Sequence, residues 1–89
     1  MRFEWDSEKE KQNIKEHKIS FDEAVTVFYD PLAATFYDPD HSIDEDRFIT
    51  VGYSSQGRLF VVSHMEGRDA IRIISARPAT ISERKRHEN

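Results

Sequence analysis

Two apolar runs, RLFVVSHM from Arg58 and AIRIISAR to Arg77, flank the short polar turn EGRD, and this pattern predicts a β-hairpin. Upstream, LAATFY (Leu32–Tyr37) and RFITVGY (Arg47–Tyr53) read as two more strands, with a turn at Ser54–Gly57 where Gly57 supplies a positive φ. A four-residue turn pairs Tyr53 with Arg58, Val51 with Phe60, Ile49 with Val62 and Arg47 with His64. Pairing Met65 with Ala70 then sets Val62 against Ile73, Phe60 against Ser75 and Arg58 against Arg77. One face carries Ile49, Val51, Phe60, Val62, Ile71 and Ile73. The other carries Phe48, Leu59, Val61, Met65 and Ile74, with Arg72 beside Ser63. This register assumes no bulge, since a bulge turns the later residues over.

Helical spacing appears on either side of these strands. Ser7-Glu8-Lys9-Glu10 has the pattern of a capping box and opens a helix to about His17, mostly solvated, with Ile14 its chief apolar position. The ordinary reading of His17 is a cation at the negative helix end. Ser20-Phe21-Asp22-Glu23 repeats the box before a more buried helix that ends near Tyr29, ahead of Asp30-Pro31. Thr80-Ile81-Ser82-Glu83 is a third box, opening a basic final helix through Arg84-Lys85-Arg86-His87. Phe3-Glu4-Trp5 reads as a small edge strand or an anchor laid on the core. The expected architecture is a single α+β domain over residues 1–89: two N-terminal helices, an antiparallel sheet of about four strands and a short C-terminal helix.

Composition adds exclusions. There is no cysteine, hence no disulfide and no thiolate zinc site. No apolar run approaches the roughly 20 residues of a membrane helix, and Met1-Arg2-Phe3 opens no signal peptide, so the chain reads as soluble and cytoplasmic. The net charge of −4 conceals an asymmetry. Residues 1–57 carry six Lys/Arg against thirteen Asp/Glu, a net of −7, whereas residues 58–89 carry seven against four, a net of +3. A basic half of this kind suits a polyanion or an acidic partner.

Several chemistries leave no trace. There is no phosphate-binding P-loop, no Gly-rich dinucleotide turn and no HExxH, and no serine sits in a nucleophile elbow. The acidic loop from Asp38 to Asp46 contains His41 but has no EF-hand spacing, so no metal and no cofactor is expected. What remains is a set of arginines with Tyr53 and His64. Guanidinium groups clamp phosphate bidentately and stay charged. RNA cleaves itself when a 2′-hydroxyl attacks the adjacent phosphorus, so a protein need only orient the backbone, stabilise charge and move protons. On this reading Arg77, Arg58, His64 and Arg72 are candidate catalytic groups, and Arg47, Tyr53 and Arg84 candidate RNA-binding groups. The competing reading pairs the arginines with Glu66, Asp69, Glu83 or the acidic loop.

The segments FEWDSEKEKQNIKEHKISFDEAVTVFYDP, RFITVGYSSQGRLFVV and IRIISARPATISER resemble the BrnT family of type II toxins in order and spacing, from Phe3 to Arg86. That resemblance implies a RelE-like fold, translation arrest by RNA cleavage, neutralisation by a BrnA-like ribbon-helix-helix antitoxin, and contact with operator DNA only through that antitoxin. By position, Arg72 and Arg77 fall in the IRIISAR motif, Arg47 begins the RFITVGY strand and Arg58 follows the turn glycine. The chain departs from the family at Lys18, where Gly is common, and at His87, where Tyr is common. The alternative function is a non-catalytic module that binds a partner and helps to repress DNA.

Overall fold

A computed structural model describes all residues, 1–89, as three helices on a five-stranded mixed sheet. The strands are β1 (Arg2–Trp5), β2 (Ala34–Tyr37), β3 (Arg47–Tyr53), β4 (Leu59–Glu66) and β5 (Ala70–Pro78), in the order β1-β5-β4-β3-β2. The helices are α1 (Ser7–His17), α2 (Phe21–Thr26) and α3 (Ile81–Glu88). Short 3-10 turns occupy Val27–Tyr29 and Pro39–His41. No helix is long and apolar enough to cross a membrane.

Two features correct the expected sheet. The Phe3-Glu4-Trp5 segment is the edge strand of its two readings, which raises the count from four to five, and it runs parallel to β5, with Phe3 beside Ile71 and Glu4 beside Arg72. The β3–β4 connection is also one residue longer than expected. Ser54 N–H donates to the Arg58 carbonyl, and Gly57, at φ 76°, closes the turn within that bond. Tyr53 therefore pairs with Leu59, Val51 with Val61, Ile49 with Ser63 and Arg47 with Met65. Because side chains alternate along a strand, this one-residue slip sends Ile49 and Val51 to the other face and brings Phe48 and Thr50 to the core side.

A second irregularity lies between β4 and β5. Ser63 pairs with Ser75 and His64 with Ile73, which leaves Ile74 as an extra residue, a β-bulge. Ile71, Ile73 and Ala76 consequently share the helix side, while Arg72, Ser75 and Arg77 share the other. The core forms where α1 and α2 cover the sheet: Ile19, Phe21, Ala24, Val27, Phe60, Val62, Ile71, Ile73 and Ala76, with Phe3, Trp5 and Phe28 packed at its margin. Gly52 of β3 lies so close to the chain after α2 that an added Cβ would sit 2.9 Å from the Ala33 Cβ.

The caps are partly local and partly tertiary. Asp6, not Ser7, caps α1, accepting from Glu8 N–H at 2.8 Å, and Glu10 turns instead to Phe21 N–H at the start of α2. Ser20 caps α2, and Thr80 with Glu83 forms a complete capping box on α3. Lys18 ends α1 in the left-handed region, at φ 60°. Asn13 in mid-helix is buried: its side chain donates to the Ala76 carbonyl (2.9 Å) and accepts from Ala76 N–H (3.0 Å). It thereby acts as a strand partner for β5 just past the point where β1 stops at Trp5.

Candidate functional site

The side of the sheet away from α1 and α2 is covered only in part, by α3. In order across the sheet it presents Ala34, Val51, Val61 and Arg77, then Phe36, Ile49, Ser63 and Ser75, then Arg47, Met65, Arg72 and Glu4. The bulge at Ile74 makes this possible. Without it, Arg72 and Arg77, five residues apart, would point to opposite faces.

The expected opposition of Arg58 and Arg77 does not occur. Gly67 N–H donates to the Ala70 carbonyl, so the β4–β5 turn is tighter than EGRD and Met65 pairs with Arg72, not Ala70. This shift of two residues and the bulge pair Arg77 with Val61, while the longer β3–β4 turn leaves Arg58 in the turn on the helix side. Arg58 grips Glu23 of α2 through Nε (3.0 Å) and Nη2, and its guanidinium lies 5.0 Å from the Phe60 ring centre. Glu23 also accepts from the Ser54 hydroxyl at 2.7 Å. The Arg58 guanidinium holds the Glu23 carboxyl below the usual carboxylate range. Arg77 makes a two-pronged pair with Glu83 of α3, at 2.8 and 2.9 Å, and this contact brings the Glu83 pKa down to about 2. The two arginines are each neutralised by a carboxylate, on opposite faces of the sheet.

His64 is likewise not where the shorter turn would have put it, beside Arg47. It is fully buried on the helix side, packed edge-on to Phe28 and stacked on Phe48. Its Nε2 bonds the Thr50 hydroxyl at 2.7 Å, Thr50 bonds Thr35 in turn, and Nδ1 has no partner. Desolvation pushes its pKa down to about 4, so the ring is neutral near pH 7 and out of reach of a substrate. Tyr53 stands on the partly open face but donates its hydroxyl to Glu88 and lies against the His87 ring. Arg84 reaches the same Glu88 at 3.4 Å.

Arg47 and Arg72 differ from these. Arg47 has no carboxylate within 4.0 Å, and Arg72 touches only Glu4, at 4.0 Å. They lie in one row two strand spacings apart, roughly 10 Å between backbones, with Met65 between them. Glu4 ends the row, and at 46% side-chain exposure it is accessible. It is the functional candidate that sequence reasoning missed. Only the parallel pairing of β1 with β5 brings it to Arg72, and a three-residue apolar-polar alternation gives no hint of that pairing. A carboxylate, two guanidinium groups and a soft apolar side chain in line can accept a proton, hold a phosphate and support a base. No three His, Asp or Glu side chains converge as metal ligands; His41 instead bonds Asp38 at 2.8 Å.

Comparison with known proteins gives this arrangement a context. The family model described as "Ribonuclease toxin, BrnT, of type II toxin-antitoxin system" matches residues 5–83. Among solved structures, the fold is similar to the 1.1 Å crystal structure of the Brucella abortus ribonuclease toxin, BrnT. The TM-score is 0.69 at 24% identity, over 90% of this chain and 97% of that one. No curated protein matches the chain.

Proposed function

The chain belongs to the BrnT family of type II toxin-antitoxin ribonuclease toxins, and from that premise we propose that it is a metal-independent endoribonuclease with a RelE-like scaffold. The single observation that carries the reading is the row Arg47, Met65, Arg72 and Glu4 on the uncovered sheet face. Arg47 has no carboxylate partner and Arg72 only the loose contact with Glu4 at 4.0 Å, so both can turn to a phosphate. Arg72 and Arg47 hold the scissile phosphate and stabilise the charge that builds on it. Met65, with Ile49 and Phe36 in the adjacent row, offers an apolar floor for a base. Glu4 takes the 2′-hydroxyl proton as the ribose oxygen attacks phosphorus, and the departing 5′-oxygen takes a proton from water. The products are a 2′,3′-cyclic phosphate and a 5′-hydroxyl.

A type II toxin has an antitoxin, and the partner proposed here is of the BrnA-like, ribbon-helix-helix type, contacting operator DNA on behalf of the complex. It inhibits by covering the open face and presenting acidic side chains to Arg47 and Arg72. The test is cleavage of a defined RNA by purified protein in excess EDTA, with chemical identification of the ends. Survival in chelator, cyclic-phosphate ends and loss of cleavage in Glu4→Gln are expected. Activity restored only by magnesium or manganese, or 3′-hydroxyl products, would overturn the mechanism. A chain that binds antitoxin but cleaves nothing would favour the non-catalytic repressor module.

A further inference from the structure

The outer edge of β2 is unpaired, and its two ends carry opposite charge. β2 is the last strand of the sheet. Asp38 N–H donates to the Arg47 carbonyl, so by antiparallel alternation Phe36 turns its backbone groups inward to β3. Thr35 and Tyr37 therefore present theirs outward. Edge strands in soluble proteins are usually blunted by charge, proline or a covering element. Ala34-Thr35-Phe36-Tyr37 has no charge and no proline, and Phe36 is 57% exposed.

Beyond Tyr37 comes the loop from Asp38 to Asp46, with five acidic residues, no Lys or Arg, and one highly exposed aliphatic side chain, Ile43. At the Ala34 end, the α3 residues Glu83, Arg86 and His87 rim a groove of about 530 Å³ floored by Leu32, Ala34, Phe36, Ile49 and Val51; Glu83 is already paired with Arg77, which leaves Arg86 as the rim's unpaired charge. The edge thus runs from an apolar groove with Arg86 on its rim to an acidic loop with an apolar tip.

We propose that β2 is the contact edge of a two-fold dimer of this chain, paired antiparallel about Phe36. Such an axis sets Thr35 opposite Tyr37 of the second copy, so the outward backbone groups bond each other. Phe36 meets its counterpart in a close, non-hydrogen-bonded pair. The same axis lays the acidic loop of each copy against α3 of the other, with Ile43 directed to the groove. One patch is complementary to itself, as an isologous interface requires. Any other occupant would need to bring an apolar strand with both signs of charge at matching ends; this chain already carries them. Phe36 also borders the proposed base floor, but the test reads association alone, so the dimer stands or falls separately from RNA cleavage.

Sedimentation of the isolated chain, at about 100 μM and low salt, should show a dimer. Its dissociation constant should rise about tenfold or more in roughly 0.5 M salt as the end-to-end charge contacts are screened. Phe36→Asp should be a folded monomer, because Phe36 is exposed in the single copy. Arg86→Glu alone and the pair Asp44→Lys with Glu45→Lys alone should each dissociate, and mixing the two variants should restore a heterodimer. A wild-type monomer under these conditions, a dimeric Phe36→Asp, or no recovery on mixing would overturn the proposal. Amide exchange at Thr35 and Tyr37 that slows only when antitoxin is added would also overturn it, assigning the edge to the antitoxin.

Discussion

Arg72 and Arg77 sit on one strand, face the same side of the sheet and belong to the same IRIISAR segment, yet their surroundings differ. Arg77 is held at both prongs by Glu83, whose own backbone and side chain complete the cap of α3. Arg72 has a single carboxylate at the 4.0 Å limit and an apolar neighbour. A paired guanidinium ties a helix to the sheet. An unpaired one is available to a ligand. Sequence position does not distinguish them; the neighbouring element does.

The largest expected effect lies on the open side. Arg72→Ala should lower the RNA cleavage rate roughly a hundredfold or more, as for removal of one preorganised donor, with an unchanged melting temperature. Arg77→Ala should do the reverse. It should lose about 1 kcal/mol, because the pair is partly exposed and solvent screens it, and retain most of its cleavage rate. Thermal melts and single-turnover cleavage on both variants decide the matter. A stable but inactive Arg77→Ala would exchange the two roles.

Next in size is a pH effect on the sealed side. Folded His64 stays neutral down to about pH 4, whereas the unfolded ring takes a proton near its ordinary value of 6.5. Between those values the unfolded chain binds the extra proton, so stability is full above pH 6.5 and falls as pH drops toward 4. The loss should approach about 3 kcal/mol at the lower end. Urea denaturation at pH 7 and pH 4.5 should show it in the wild type, and a much shallower slope in His64→Leu. An equal slope in both would place the acid sensitivity elsewhere.

The smallest effect serves as a control for both faces. Lys18 adopts the left-handed conformation that Gly accepts without strain. Lys18→Gly should stabilise by up to about 1 kcal/mol, read as a higher denaturant midpoint, with no change in cleavage. A drop in stability would mean that the lysine stem packs more than it strains.

Much of this molecule was legible in its pattern. The helix starts at Ser20 and Thr80 and the strand-forming runs follow from local chemistry, whereas Lys18 stood out only through the family resemblance. Longer-range effects overrode the local reading at two of the three glutamates expected to complete capping boxes. Only Glu83 does so, while Glu10 turns to α2 and Glu23 to Arg58. The face assignments failed for a different reason. A period of two converts one extra turn residue, or one bulge, into a complete exchange of sides. Arg47 and His64 were separated this way, and Arg72 and Arg77 were brought together. Asn13 carried a faint signal, being a poor helix former in mid-helix, but nothing local reveals that its partner is Ala76, 63 residues away.

The parallel pairing of β1 with β5 also bears on how the molecule comes into being. Residues 2–5 are synthesised well before their hydrogen-bonding partners, residues 70–73. Closing so long a loop is slow and yields nothing until the far strand arrives. Until that strand emerges the first one therefore has no place to dock, and Glu4 has no Arg72 beside it. The proposed RNA-cutting row assembles only once residues 70–73 are free to fold, so a product truncated before them lacks it.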